Sequence, residues 1–199
     1  MMTMGCASCR DTGVREAVDP DKHYTYADYF GWDDGKRYEL IDGTAYLMEP
    51  APMWEHQGIQ MQIASRVHRF LDGMPGIVFT APFDVRLNAD AGDDTVLQPD
   101  IVVFSDRSKL SGTGCIGAPD MVIEILSPST ANRDKVDKFN QYLQAGVQEY
   151  WIVDPKGKTV QACILNQGEY DVVIYGEGDE VPVHILEGCV IRLAEVFAE

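Results

Sequence analysis

Two rhythms of apolar spacing run through this chain. One is the short β-branched run closed off by Pro, Gly or Asp, which predicts a buried strand; Ile101–Phe104, Met121–Leu126 and Tyr150–Val153 are of this kind. The other is recurrence at threes and fours, which predicts a single inward stripe on a helix. From about Trp54 to Asp72 it collects His56, Ile59, Ile63, Val67 and Phe70, with Gly73 as the stop. A further helix is expected between Met121–Leu126 and Tyr150–Val153, where Ser129 or Thr130 can cap the start and Gly146 the end. Strand, helix and strand in that order predict a parallel crossover on one sheet.

Thr25 can cap a short helix through Tyr29 and Phe30. Arg37–Ile41 and Thr44–Met48, joined by Asp42-Gly43, predict a hairpin with Glu39 inside its first strand. Ile77–Thr80 and Phe83–Leu87 read as strands joined at Ala81-Pro82, and Asn88–Asp94 as an acidic turn leading to Val96 and Leu97. Beyond the Pro155–Lys158 turn, Thr159–Leu165 continues antiparallel to Tyr150–Val153. Tyr170–Tyr175, Val181–Ile185 and Val190–Leu193 add short strands, and Ala194–Ala198 a turn of helix. Residues 1–21 carry no period and read as a loose arm, which leaves 22–199 as one domain. The expected class is α/β: one mixed sheet flanked by helices, with a helix and hairpin elaborating its N-terminal side.

A length of 199 residues with 45% hydrophobic content suits one core rather than two. No apolar run approaches the roughly eighteen residues of a membrane span, and no leader is recognisable, so a cytoplasmic protein is expected. Five cysteines, an odd number, point to reduced thiols, and the Cys6–Cys9 pair lacks the second pair that zinc would need. Charge changes the picture more. A formal net charge of -16 counts against tight, metal-free binding of nucleic acid. A local basic patch or a bound cation can still dominate the field near a site.

Two carboxylates interrupt the apolar runs: Asp100 at the head of one and Glu124 inside another. Ionised carboxylates in a sheet are costly unless something positive meets them, and a divalent metal is one candidate. On the following helix Asp134, Lys138 and Tyr142 fall at successive fourth positions and share a face. Lys138 precedes Phe139, at the border of core and solvent, and can reach over the strand end near Glu124. Two acids and a lysine are the parts of metal-assisted phosphodiester hydrolysis: the acids hold Mg²⁺ or Mn²⁺ with waters, and the lysine stabilises charge. In a purely structural reading, Asp100 caps a strand turn and Glu124 pairs with Lys138; spacing alone slightly favours it.

Pro99-Asp100, Glu124–Thr130, Asp134 to Lys138 with Tyr142, and Gly146–Pro155 resemble the Uma-two family of restriction-endonuclease-like proteins, within the PD-(D/E)xK nuclease superfamily. The likeness reaches Tyr38–Gly43 and His56, and so runs from about Thr25 onward. It implies a restriction-endonuclease-like fold and a Mg-dependent phosphodiesterase acting on nucleic acid, with DNA as the expected polymer. Asp100 and Glu124 would be the metal ligands. The superfamily's lysine usually stands two residues after the acid, where this chain has Leu126; the resemblance implies that the role has moved to Lys138. Glu39 is carried over as an outer carboxylate, or is a paired strand residue. His56 is a proton carrier or metal-shell residue, or a hydrogen-bonded core histidine. Gln98 touches a metal water or substrate oxygen, or is an exposed strand end. Asp134 orients Lys138 or serves the helix N-terminus, and Asp154 reads as a turn residue. Cutting both strands needs two sites, which would suit a homodimer. The alternative is a non-catalytic interaction protein that keeps the fold and a relic metal site.

Overall fold

The chain folds in the order α1 (Tyr26–Phe30), β1 (Tyr38–Ile41), β2 (Thr44–Leu47), α2 (Trp54–Phe70), β3 (Ile77–Thr80), β4 (Asp84–Arg86) and β5 (Val96–Leu97). There follow β6 (Ile101–Phe104), β7 (Leu110–Ser111), β8 (Gly114–Ile116), β9 (Met121–Ile125) and α3 (Lys138–Ala145). The last elements are β10 (Glu149–Asp154), β11 (Thr159–Asn166), β12 (Glu169–Gly176), β13 (Glu180–Pro182), β14 (Val190–Arg192) and α4 (Leu193–Val196). The computed structural model describes residues 18–19, 21–48, 53–127 and 136–198. The Cys6–Cys9 pair, most of the expected arm, the caps Ser129 and Thr130, and Asp134 therefore lie outside the described residues.

The expected crossover is present. β9 and β10 pair in parallel from Met121 opposite Glu149 to Ile125 opposite Val153, with α3 between them in sequence. Gly146 ends α3 at φ 82°, a left-handed conformation that a residue without Cβ adopts at little cost. Antiparallel neighbours complete a six-stranded mixed sheet in the order β12-β11-β10-β9-β6-β3.

Where one sheet was expected there are two six-stranded sheets and a β13–β14 ribbon. The second sheet runs β2-β1-β5-β4-β8-β7. Its members β5, β7 and β8 span two or three residues each, too short to display an alternation. β3 and β4, adjacent in sequence across Ala81-Pro82, belong to different sheets. The approach of β8 to β4 is so close that a Cβ on Gly114 would lie 1.8 Å from the Asp84 carbonyl oxygen.

Alternation along β6 and β9 sorts the core. Ile101, Val103, Met121, Ile123 and Ile125 pack with Ile59, Ile63 and Val67 of α2 on one face. Val102, Phe104 and Val122 face the other way, toward Val85 and Leu97 of the second sheet and Tyr142 of α3. Two residues on from Val122, Glu124 shares that second face. The central sheet thus lies between α2 and a layer made of the second sheet and α3.

Candidate active site

Glu124 is 3% exposed, and an ionised carboxylate so deep in a sheet needs partners. It has them. Its Oε1 accepts from Lys138 Nζ at 2.9 Å and from Tyr142 Oη at 2.8 Å. Lys138 and Tyr142 stand one turn apart on α3, the spacing that brings two side chains to one place. The same ammonium lies 2.9 Å from Glu39 Oε1, contributed by β1 of the other sheet. Glu39 also accepts from the backbone N–H of Gln98 at 2.9 Å. One lysine, itself 4% exposed, therefore bridges two carboxylates from two different sheets. Burial above all, and then the Glu124 charge, holds the Tyr142 hydroxyl well above its usual pKa, so it remains a donor. Leu126, where the superfamily's lysine usually stands, is half-buried against the apolar cluster on this side.

Asp100 heads β6. Ile101 is paired with Ile123 in the antiparallel ladder, so the next step brings Asp100 opposite Glu124. Its Oδ2 accepts from the Ile125 N–H at 2.7 Å and lies 3.2 Å from His56 Nε2. Its backbone carbonyl accepts from Gln60 Nε2 at 2.7 Å. His56 occupies the first turn of α2 at the head of the inward stripe, and what it meets there is this aspartate. With its side chain 18% exposed, Asp100 is the more open of the two sheet carboxylates.

Gln98 is no exposed strand end: it is 8% exposed. Its Oε1 accepts from Arg37 Nε at 3.0 Å, and its Nε2 donates to Tyr29 Oη at 2.7 Å and Asp84 Oδ1 at 2.9 Å. Arg37, Tyr29 and Asp84 fix the side chain of Gln98, whose backbone N–H holds Glu39, and the sequence does not advertise them. Their contacts with Gln98 span 61, 69 and 14 residues, and no local spacing encodes them. Asp154 accepts from the N–H groups of Lys156 and Gly157, as a turn residue does.

Among the described residues, no three His, Cys, Asp or Glu side chains are grouped to hold a metal. Two carboxylates on neighbouring strands nevertheless suit a hard cation of the Mg²⁺ or Mn²⁺ kind, which uses one or two protein carboxylates and fills its remaining positions with water and substrate oxygens. The donor set fits such an open site and does not fit a closed protein cage.

The fold and this cluster define an α/β protein with an acid–lysine centre at the end of a parallel crossover. Residues 26–194 match the Uma2 (Uma-two) family, described as "Putative restriction endonuclease", and the chain belongs to that family. It is 24% identical over 158 residues to "Uncharacterized protein slr1290" of Synechocystis sp., a match covering 77% of this chain and 81% of that protein. Its fold is similar to a crystal structure from Anabaena variabilis, that of "a putative nuclease belonging to DUF820". That likeness has a TM-score of 0.71 and 22% identity, and covers 87% of this chain and 97% of the other.

Proposed function

We propose that this protein is a metal-dependent endonuclease that hydrolyses phosphodiester bonds in nucleic acid, with DNA as its polymer. The observation that carries this reading is the buried Lys138 ammonium, 2.9 Å from both Glu39 and Glu124, with Asp100 across the ladder from Glu124. Membership of a family described as "Putative restriction endonuclease", and a fold shared with the Anabaena protein described as "a putative nuclease", support it.

Asp100 and Glu124 would hold the Mg²⁺ or Mn²⁺ ion. When bound, the metal supplies a water of lowered pKa and shields charge on the phosphate. Lys138 keeps a fixed positive charge beside the reacting phosphate, where it is worth most in a dry site. Glu39 and Tyr142 hold Lys138 and Glu124 in register. His56, through Nε2, fixes the Asp100 carboxylate and can carry a proton to or from the site's edge.

The test is cleavage of labelled DNA and RNA oligonucleotides in Mg²⁺ or Mn²⁺, against a chelator. Asp100→Ala, Glu124→Ala and Lys138→Ala should each abolish cutting. Calorimetry should find metal binding lost in the two carboxylate variants and nearly intact in Lys138→Ala, because an ammonium is no ligand. The lysine variant should also lose about 3–5 kcal/mol of stability, with two buried carboxylates left facing each other. A protein that binds Mg²⁺ through Asp100 and Glu124 yet cuts no nucleic acid would be the non-catalytic interaction protein instead.

A further inference from the structure

We infer that a cleft beside the C-terminal half of α2 is a second anion site, taking a phosphodiester of the nucleic-acid backbone away from the bond that is cut. Its ligand class rests on the nuclease reading above. The cleft has a volume of about 470 Å³ and lies between α2 and the β13–β14 ribbon. Arg66, Arg69 and Arg192 line it, three of only nine arginines in a chain of net charge -16. Positive charge this scarce and this gathered is the electrostatic footprint of a phosphate.

Two carboxylates order the guanidinium groups without cancelling them. Arg66 donates through Nε and Nη2 to Glu195 Oε2 at 3.3 and 2.9 Å, and through Nη1 to the Gln62 carbonyl at 2.8 Å. Arg192 Nε donates to Glu180 Oε1 at 2.9 Å. Arg69 is exposed and has no ion-pair partner among the described residues. Three planar forks against two acids leave one positive charge in excess, with part of the ordering cost met before a ligand arrives.

The helix sets the distance to the cluster. At 1.5 Å per residue, Arg66 and Arg69 stand about 15 and 20 Å along α2 from His56. At 3.4 Å per base step, that is roughly four to six steps of a duplex. A polymer that passes the sheet's edge at Asp100 is long enough to span that distance; a mononucleotide held there is not.

The experiment is fluorescence anisotropy of the full chain in chelator, so that binding is read without cleavage. The probes are a labelled 20-base-pair duplex and a labelled nucleoside monophosphate, each with inorganic phosphate as competitor. Arg69→Ala and Arg192→Ala should each weaken duplex binding about 5- to 10-fold and reduce the slope of log Kd against log salt by about one. Lys156→Ala, which removes an exposed charge elsewhere, should change neither. If the mononucleotide loses affinity in Arg69→Ala while the duplex does not, the anion is a free phosphate ester and the backbone assignment falls. Unchanged binding of both probes by an Arg69→Glu, Arg192→Ala chain with a native circular-dichroism spectrum overturns the site altogether. Such a chain, if it still cuts nucleic acid, leaves the nuclease reading standing. Arginine-dependent duplex binding by a protein that never cuts does the reverse.

Discussion

Two buried charges in this protein are handled in opposite ways. Glu124 is neutralised by a cation brought to it. Glu149, on β10 and with no exposed surface, is held among the described residues by neutral donors: Trp151 Nε1 at 2.8 Å, the Ile185 N–H at 3.0 Å and the His184 N–H. Burial pushes its carboxyl up to about 7, these hydrogen bonds notwithstanding. The folded pKa therefore lies above the unfolded one. Stability from this group is complete at pH below the unfolded value near 4.5 and falls as pH rises through about 7. The span corresponds to at most about 3–4 kcal/mol. Glu149→Gln should flatten the stability difference between pH 4.5 and 7, measured by urea denaturation at several pH values. A parallel pair of curves for the two proteins would mean that Glu149 ionises freely in the fold.

Among elements, what the sequence disclosed depended on length. α2, β6, β9 and β10 each carry a full period, and the crossover follows from their order. The second sheet is built from fragments that pair only after distant segments have met, so its strands give no signal alone. Within the site, Glu124 and Lys138 lie inside the crossover and Asp100 heads the apolar strand that pairs beside it, so all three could be read from that stretch. Glu39 came only through family likeness, and Arg37, Tyr29 and Asp84 not at all. Gly114 shows how tightly the second sheet is drawn. Gly114→Ala would drive a Cβ into the backbone of Asp84, and should cost about 3 kcal/mol or more, the upper range for overpacking. Gly58, exposed in the second turn of α2 with nothing within 4 Å of its missing Cβ, is the counterexample. There alanine should add about 0.5–1 kcal/mol by helix propensity alone. Thermal denaturation of the two variants should move in opposite directions.

For the molecule as a whole, acidity is the dominant long-range fact. At a net charge of -16, self-repulsion opposes compaction, and any divalent cation relieves some of it. A specific site must show itself above that background. Mg²⁺ at a hundred times its Kd should add about 2.7 kcal/mol to the wild-type fold, read as a rise in Tm. In Asp100→Asn only the diffuse, salt-like part of the shift should persist. Equal shifts in the two proteins would remove Asp100 from the ligand set. Among the described residues, no helix is long and apolar enough to cross a membrane.

The lysine that joins Glu39 of one sheet to Glu124 of the other has an evolutionary corollary. Residues that fasten two layers together are under selection for folding, whatever chemistry they perform. On the proposed nuclease reading, a copy of this gene relieved of catalysis would keep Glu39, Glu124, Lys138 and Tyr142, because losing any one of them loosens the join. Asp100 and His56, at the more open end of the cluster, bear less of that burden and would drift first. Among diverged descendants, the state of that pair would be the more sensitive record of which lineages keep the proposed activity.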